Sequence, residues 1–141
     1  MRYLGVDFGL KKIGLALGDD ETNLAFPMGN IEGGTSSIAS ILARAKFEGA
    51  EAFVVGLPIP DAHQTEEQLE MTKQFARDLG TASSMPIYVV DEQFSSAEAR
   101  RLQIEYGNDM AEDALAATII LQAFLDGDRD LTIETAKRRE E

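Results

Sequence analysis

Short apolar runs alternate with longer amphipathic stretches along this chain, and the order of the two patterns predicts an α/β domain. The first apolar runs, Tyr3 to Phe8 and Ile13 to Leu17, are separated by Gly9 and a short polar turn at Lys11 and Lys12, which reads as a β-hairpin. After a polar turn over Asp19 to Asn23, residues Leu24 to Ile31 read as a third strand. Pro27 inside it has no N–H to give a ladder, so this strand should lie at a sheet edge or carry a bulge. Gly33-Gly34-Thr35-Ser36-Ser37 is a loop that ends in a helix N-cap, and Ile38, Ile41, Leu42 and Ala45 then follow helical spacing up to Gly49. Ala52 to Leu57 is a continuous apolar run, typical of a strand covered on both faces, and Pro58 and Pro60 close it. A helix from Thr65 to Leu79 carries Leu69, Thr72, Phe75, Ala76 and Leu79 on one face and should stop at Gly80. Pro86 to Val90 is a further buried strand running into Asp91-Glu92. Ser95 or Ser96 caps a helix through Tyr106, and a last helix spans roughly Glu112 to Leu125 before Gly127.

This order implies a central mixed five-stranded sheet flanked by helices: strands 1–3 as an antiparallel meander, then strands 4 and 5 parallel. Residues 1–127 make one domain, and 128–141 form a charged tail expected to be mobile. Tyr3, Phe53, Phe75 and Phe124 are expected in the core. Phe8 and Phe94 flank acidic residues; packing is the simpler role for them, base stacking the alternative.

Composition narrows the function classes. An apolar fraction of 44% suits a globular chain, and no apolar run approaches the roughly 20 residues of a membrane span. Asp7 and the lysines interrupt the N-terminal run, so no signal-peptide pattern is present. The absence of cysteine removes disulfides and thiolate sites and fits a reducing cytoplasm. A net charge of −12, from 25 acids against 13 bases, opposes non-specific binding to nucleic acid. A nucleic-acid partner would have to be met through metal ions or a local basic patch.

The candidate chemistry lies in acids at strand ends. Asp7 interrupts an apolar strand, where burial and strand propensity both disfavour an aspartate. It either presents a carboxylate to a divalent cation or caps its own turn. Asp91-Glu92 end another strand, and ligands of such sheets gather at the strands' carboxyl ends. Asp113 shares a helical face with Ala116, Ala117, Ile120 and Phe124, whose small alanines allow close approach to the sheet; alternatively it complements the helix dipole, as Glu112 does. Taken together, Asp7, Asp91-Glu92 and Asp113 would converge on one edge. Clustered carboxylates are hard oxygen donors that select Mg²⁺ or Mn²⁺, and a pair of such ions can activate water and stabilise the leaving oxygen of a phosphodiester. No nucleophilic serine or cysteine is then required. His63, the sole histidine, sits in a Pro-rich loop where a surface role outweighs a part in proton relay.

Four segments in order carry a family resemblance: Gly5-Val-Asp7-Phe-Gly9-x-Lys-x-Ile-Gly14-Leu-Ala, then Val54-Val55-Gly56-Leu57-Pro58, then Val90-Asp91-Glu92-x-x-Ser95-Ser96-x-Glu98-Ala99, then Asp113-x-Leu-Ala-Ala117-x-Ile-Ile-Leu-Gln. Over residues 2 to about 126 the chain resembles the YqgF/RuvX family, described as Holliday-junction resolvases or pre-16S ribosomal RNA nucleases with a ribonuclease H-like three-layer fold. The resemblance implies Asp7, Glu92 and Asp113 as catalytic, metal-binding acids, with Asp91 adjacent to them. It implies metal-dependent phosphodiester hydrolysis in structured nucleic acid, pre-16S rRNA or branched DNA, in the bacterial cytoplasm. A resolvase would act as a homodimer, because two symmetric strands must be cut.

Departures from that pattern bear on the nucleic-acid grip. Gln93 stands where the family has Arg, and Leu10 where it has Thr. The loop after Pro58 reads Ile59-Pro60-Asp61-Ala62-His63 in place of a Met-Asp-Gly-like segment, and Ile104 to Glu112 has three acids and no base where Lys and Arg are usual. The remaining candidates for phosphate contact are Lys11, Lys12, Arg100, Arg101 and the tail cluster Lys137-Arg138-Arg139, with Lys11 and Lys12 nearest Asp7. Two other classes stay open at this stage: a sugar-kinase or actin-like nucleotide site, which needs a second lobe that 141 residues do not accommodate, and a degenerate nuclease domain that only binds a partner.

Overall fold

The computed structural model describes residues 1–60, 65–92, 101, 104–107 and 112–127, with the backbone alone for Glu92. The elements are β1 (Arg2–Asp7), β2 (Lys12–Asp19), β3 (Leu24–Glu32), α1 (Ser37–Glu48), β4 (Ala52–Pro58), α2 (Glu66–Ser83), β5 (Ile87–Glu92) and α3 (Glu112–Leu125). One five-stranded sheet has the order β3-β2-β1-β4-β5. β1 pairs antiparallel with β2 and β2 with β3, whereas β4 runs parallel to both β1 and β5. This is the mixed sheet expected from the sequence. The capping serines of the helix before Tyr106, its neighbours Phe94 and Arg100, the His63 loop and the 128–141 tail lie outside the described residues.

Strand alternation sorts the apolar side chains into two cores. Leu4, Val6, Ile13, Leu15, Phe53, Val55, Ile87 and Val89 pack on α1 and α2 through Ile41, Phe75 and Leu79. On the opposite face Tyr3, Ala16, Ala25, Ala52, Val54 and Val90 pack on α3 through Ala117, Ile120, Leu121 and Phe124. Helices on both faces of one sheet make three layers. Phe124 holds the second core together, its ring 5.1 Å from Tyr3 and 5.2 Å from Tyr88. α3 is buried over most of its circumference, including Ala114 and Leu115, so its contact with the protein is wider than the single stripe read from its spacing.

Two local features depart from or refine the sequence reading. α2 does not stop at Gly80 but continues to Ser83, with Ser84 left-handed at its C-cap. Gly80 is buried, so packing compensates the helix cost of a glycine. At the other end Thr65 and Gln68 cap α2 reciprocally: Gln68 N–H donates to Thr65 Oγ1 at 3.1 Å, and Thr65 N–H donates to Gln68 Oε1 at 2.8 Å. β3 is both an edge strand and a bulged one. Leu15 pairs with Gly29 and Ala16 with Pro27, so Met28 is an extra residue, and the adjacent Gly29 has a φ of +100°, open to glycine.

The feature that matters most for function is the seat of α3. Gly14 lies opposite Asp7 on one side and opposite Asn30 on the other. A Cβ on Gly14 would run into the backbone carbonyl of Asp113 and the amide of Ala114. The missing side chain is therefore what lets the first turn of α3 rest on the sheet.

Two stability predictions follow from this packing. Gly14→Ala should cost about 2 kcal/mol or more, because the obstacle is backbone that cannot swing aside; a lower urea midpoint at unchanged slope is the expected result, and unaltered stability would contradict the seat. Thr65→Ala should cost about 1 kcal/mol in the same experiment through loss of the cap.

Candidate metal and nucleic-acid site

Asp7 is the last residue of β1 and stands between two positions without side chains. Gly14 opposes it on β2, and on β4 Gly56 follows Val55, the partner of Val6. Asp7 is half-buried, and its position at the end of β1 borders an open cleft of about 250 Å³ lined also by Phe8, Gly9, Leu10, Gly56, Pro58, Gln68, Met71 and Thr72. That is room for a phosphate and part of a sugar, with no bulky residue on the neighbouring strands to close it.

Asp113 enters from α3. It occupies the first helical turn with Glu112, and its main chain lies directly over Gly14. The structure thus brings Asp113 to within one strand of Asp7, although about a hundred residues separate them in sequence. Two carboxylates so placed repel one another unless a cation lies between them. The Asp113 carboxylate also accepts a hydrogen bond from Asn30 Nδ2 at 3.3 Å, across from Gly14 on β3. Nothing in the strand pattern singled out Asn30. Only the register, shifted by the bulge, shows that it faces Asp113.

The acids of β5 reach the same edge of the sheet. Asp91 pairs with Leu57 and Glu92 with Pro58, and Pro58 lines the Asp7 cleft. Asp91 is half-buried and follows the parity of Val89, on the α1–α2 side, not that of Val90, which packs towards α3. Asp91 and Asp113 therefore belong to opposite faces. Glu92 is placed here by its backbone position alone. Among the described residues no three acids or histidines yet form a closed ligand set.

The donor types fit a hard divalent cation: carboxylates from Asp7 and Asp113 with an amide group beside them, all at one strand edge, and no sulfur in the chain. Of the candidate phosphate contacts, Lys11 and Lys12 are both exposed at the β1–β2 turn and form no ion pair among the described residues. The turn is held by Gly33 N–H, which donates to the Lys11 carbonyl at 2.8 Å. Arg101 is elsewhere. It lines a groove with Leu24, Phe26, Gln122 and Asp126, near the opposite end of the sheet, where Leu24 pairs with Asp19. The structure does not bring it to Asp7.

Phe8 is stacked on Phe75 with ring centroids 4.5 Å apart, so packing occupies this aromatic. No helix among the described residues is long and apolar enough to cross a membrane.

Comparison with known proteins agrees with this geometry. The chain is 37% identical over 134 residues to a protein of Anaeromyxobacter sp. provisionally named pre-16S rRNA nuclease, covering 90% of this chain and 98% of that one. A protein of the same provisional name from Paraburkholderia phytofirmans is 35% identical over 131 residues, covering 88% and 87%. In fold, the chain matches Thermus thermophilus RuvC solved in complex with a Holliday junction substrate, with a TM-score of 0.61 at 16% identity over 96% of this chain and 99% of that one. The fowlpox virus resolvase, solved with Holliday junction DNA, matches with a TM-score of 0.55 at 11% identity over 89% and 97%. The fold is thus the ribonuclease H-like fold shared by these resolvases. The model of the RuvX family, described as Holliday junction resolvase, matches residues 1–127, and the chain belongs to that family of nucleases.

Proposed function

We propose that this protein is a divalent-metal-dependent endonuclease of structured nucleic acid that trims the 5′ end of precursor 16S rRNA in the cytoplasm. The observation that carries the reading is the seating of Asp113 over Gly14, one strand from Asp7, at the carboxyl edge of the sheet. The choice of precursor rRNA follows the names of the relatives at 35–37% identity.

In this reading Asp7, Glu92 and Asp113 hold Mg²⁺ or Mn²⁺, with Asp91 a neighbour whose strand parity sets it apart. A cation so held supplies positive charge for the phosphate and acidifies a water for attack on phosphorus. Asp7 contributes a carboxylate whose backbone is fixed by pairing with Gly14 on β2, which keeps the donor rigid. Asp113 contributes one fixed by the helix seat. The open floor over Gly56 admits the phosphodiester, and Lys11 and Lys12 contact flanking phosphates from the turn. These two lysines offset the chain's −12 charge where the strand must lie. Branched DNA is the second reading, favoured by the family's description and by the junction-bound fold relatives; it requires two copies to cut two strands.

Two experiments test this. Purified protein with Mg²⁺ or Mn²⁺ should cleave precursor 16S rRNA in preference to a four-way DNA junction, and Asp7→Asn or removal of the metal with EDTA should lower the rate at least 10³-fold, on the scale of losing transition-state charge stabilisation. Preference for the junction selects the second reading, and no cleavage of either substrate defeats both. On the Asp7→Asn background, where substrate binds uncut, replacing Lys11 and Lys12 together by Ala should weaken binding and reduce the slope of log affinity against log salt by about 1–2, with stability unchanged.

A further inference from the structure

Among the described residues, Asn30 is the one buried polar side chain whose hydrogen bonding is left incomplete. Its Nδ2 donates to Asp113 Oδ2 at 3.3 Å, while its Oδ1 is buried and has no hydrogen-bond partner among the described residues. Turning the amide over does not mend this, since it would set an oxygen against the carboxylate and strand the NH₂ group instead. An unsatisfied buried carbonyl oxygen weakens a fold, and asparagine is a poor strand residue to begin with. On stability alone an apolar or β-branched residue would serve better at this place in β3. What Asn30 does is reach across the empty position of Gly14 and grip the acid on the far side.

We propose that Asn30 is a positioning residue of the metal site, retained at a cost to stability because its Nδ2 fixes the rotamer of Asp113. One oxygen of Asp113 is thereby occupied by the amide, which leaves the other to face the cation alongside Asp7. Asn30 does this without adding charge, whereas an acid at the same place would add to the repulsion between Asp7 and Asp113. The inference rests on the metal site proposed above and adds to it a residue outside the acidic set.

Stability and metal binding should respond separately to substitution of Asn30. Asn30→Leu keeps the approximate shape and removes the donor and the orphaned oxygen together; Asn30→Thr restores a hydroxyl donor on a side chain suited to a strand. Mn²⁺ affinity is measured by calorimetric titration of the nucleic-acid-free protein, and stability by urea unfolding without metal. For Asn30→Leu the expected result is a stability equal to or above that of the parent, with Mn²⁺ affinity reduced about 10-fold or more, as for other groups that orient metal ligands. Asn30→Thr should recover most of that affinity. Unchanged Mn²⁺ affinity in Asn30→Leu overturns the proposal, as does a loss of affinity that Asn30→Thr does not relieve. Lower stability in both variants with affinity intact makes Asn30 a structural residue and also overturns it. Asp7→Asn serves as the control. If it too leaves Mn²⁺ binding intact, the metal site itself fails; if it abolishes binding and Asn30→Leu does not, only the role of Asn30 falls.

Discussion

Contact between a helix end and a bare strand position organises this molecule. Asp7, Gly14 and Asn30 stand side by side on β1, β2 and β3, and the middle member has no side chain. Into that gap settles the first turn of α3, backbone against backbone. Any larger residue would hold the helix off the sheet, and Asp113 would be carried away from Asp7 by the length of a side chain. The hydrophobic core behind the row, built on Phe124, Leu121 and Ala117, presses the helix into its seat. Core packing and site assembly are thus the same event. Neither carboxylate would be placed near the other by local preference, because their charges oppose it.

The two ends of the sheet divide the labour. At the carboxyl edge of β1, β4 and β5 lie the acids, the open floor at Gly56 and the exposed lysines of the first turn. Towards the opposite end, Leu24, Phe26, Arg101 and Gln122 line a separate groove. A chain this acidic does not gather a polyanion over its whole surface. In the proposed reading, phosphate would be met where protein-borne and metal cations are concentrated, while the remaining acidic surface repels it.

Much of the fold was legible because each element carries its own period. Continuous apolar runs at Ala52–Leu57 and Ile87–Val90 mark strands covered on both faces, and the two layers of helices confirm it. Asp7 was legible as an anomaly, a charge inside an apolar run. Asp113 was legible through its helical partners Ala117, Ile120 and Phe124. Where the reading missed, long-range contact had overruled a local rule. Gly80 carries a stop signal, but its burial within α2 keeps the helix going to Ser83. Arg101, a candidate for phosphate contact, shares a groove with Leu24 and Asp126, away from Asp7.

Asn30 shows why a neighbour of Asp113 can be invisible in sequence. Along β3, Ala25 and Pro27 lie opposite Gly18 and Ala16 on the side of α3, so strict alternation would assign that side to odd-numbered residues. Asn30 would then point towards α1 and α2 and could not touch Asp113. The extra residue at Met28, next to Gly29 with its positive φ, shifts the count by one. After it, Ile31 packs with the α1–α2 core while Asn30 turns to α3 and its acid. Removing the bulge would therefore exchange a polar group at the site for an apolar one and bury the amide in a core unable to hydrogen-bond it. A one-residue irregularity in an edge strand thus decides what stands beside Asp113.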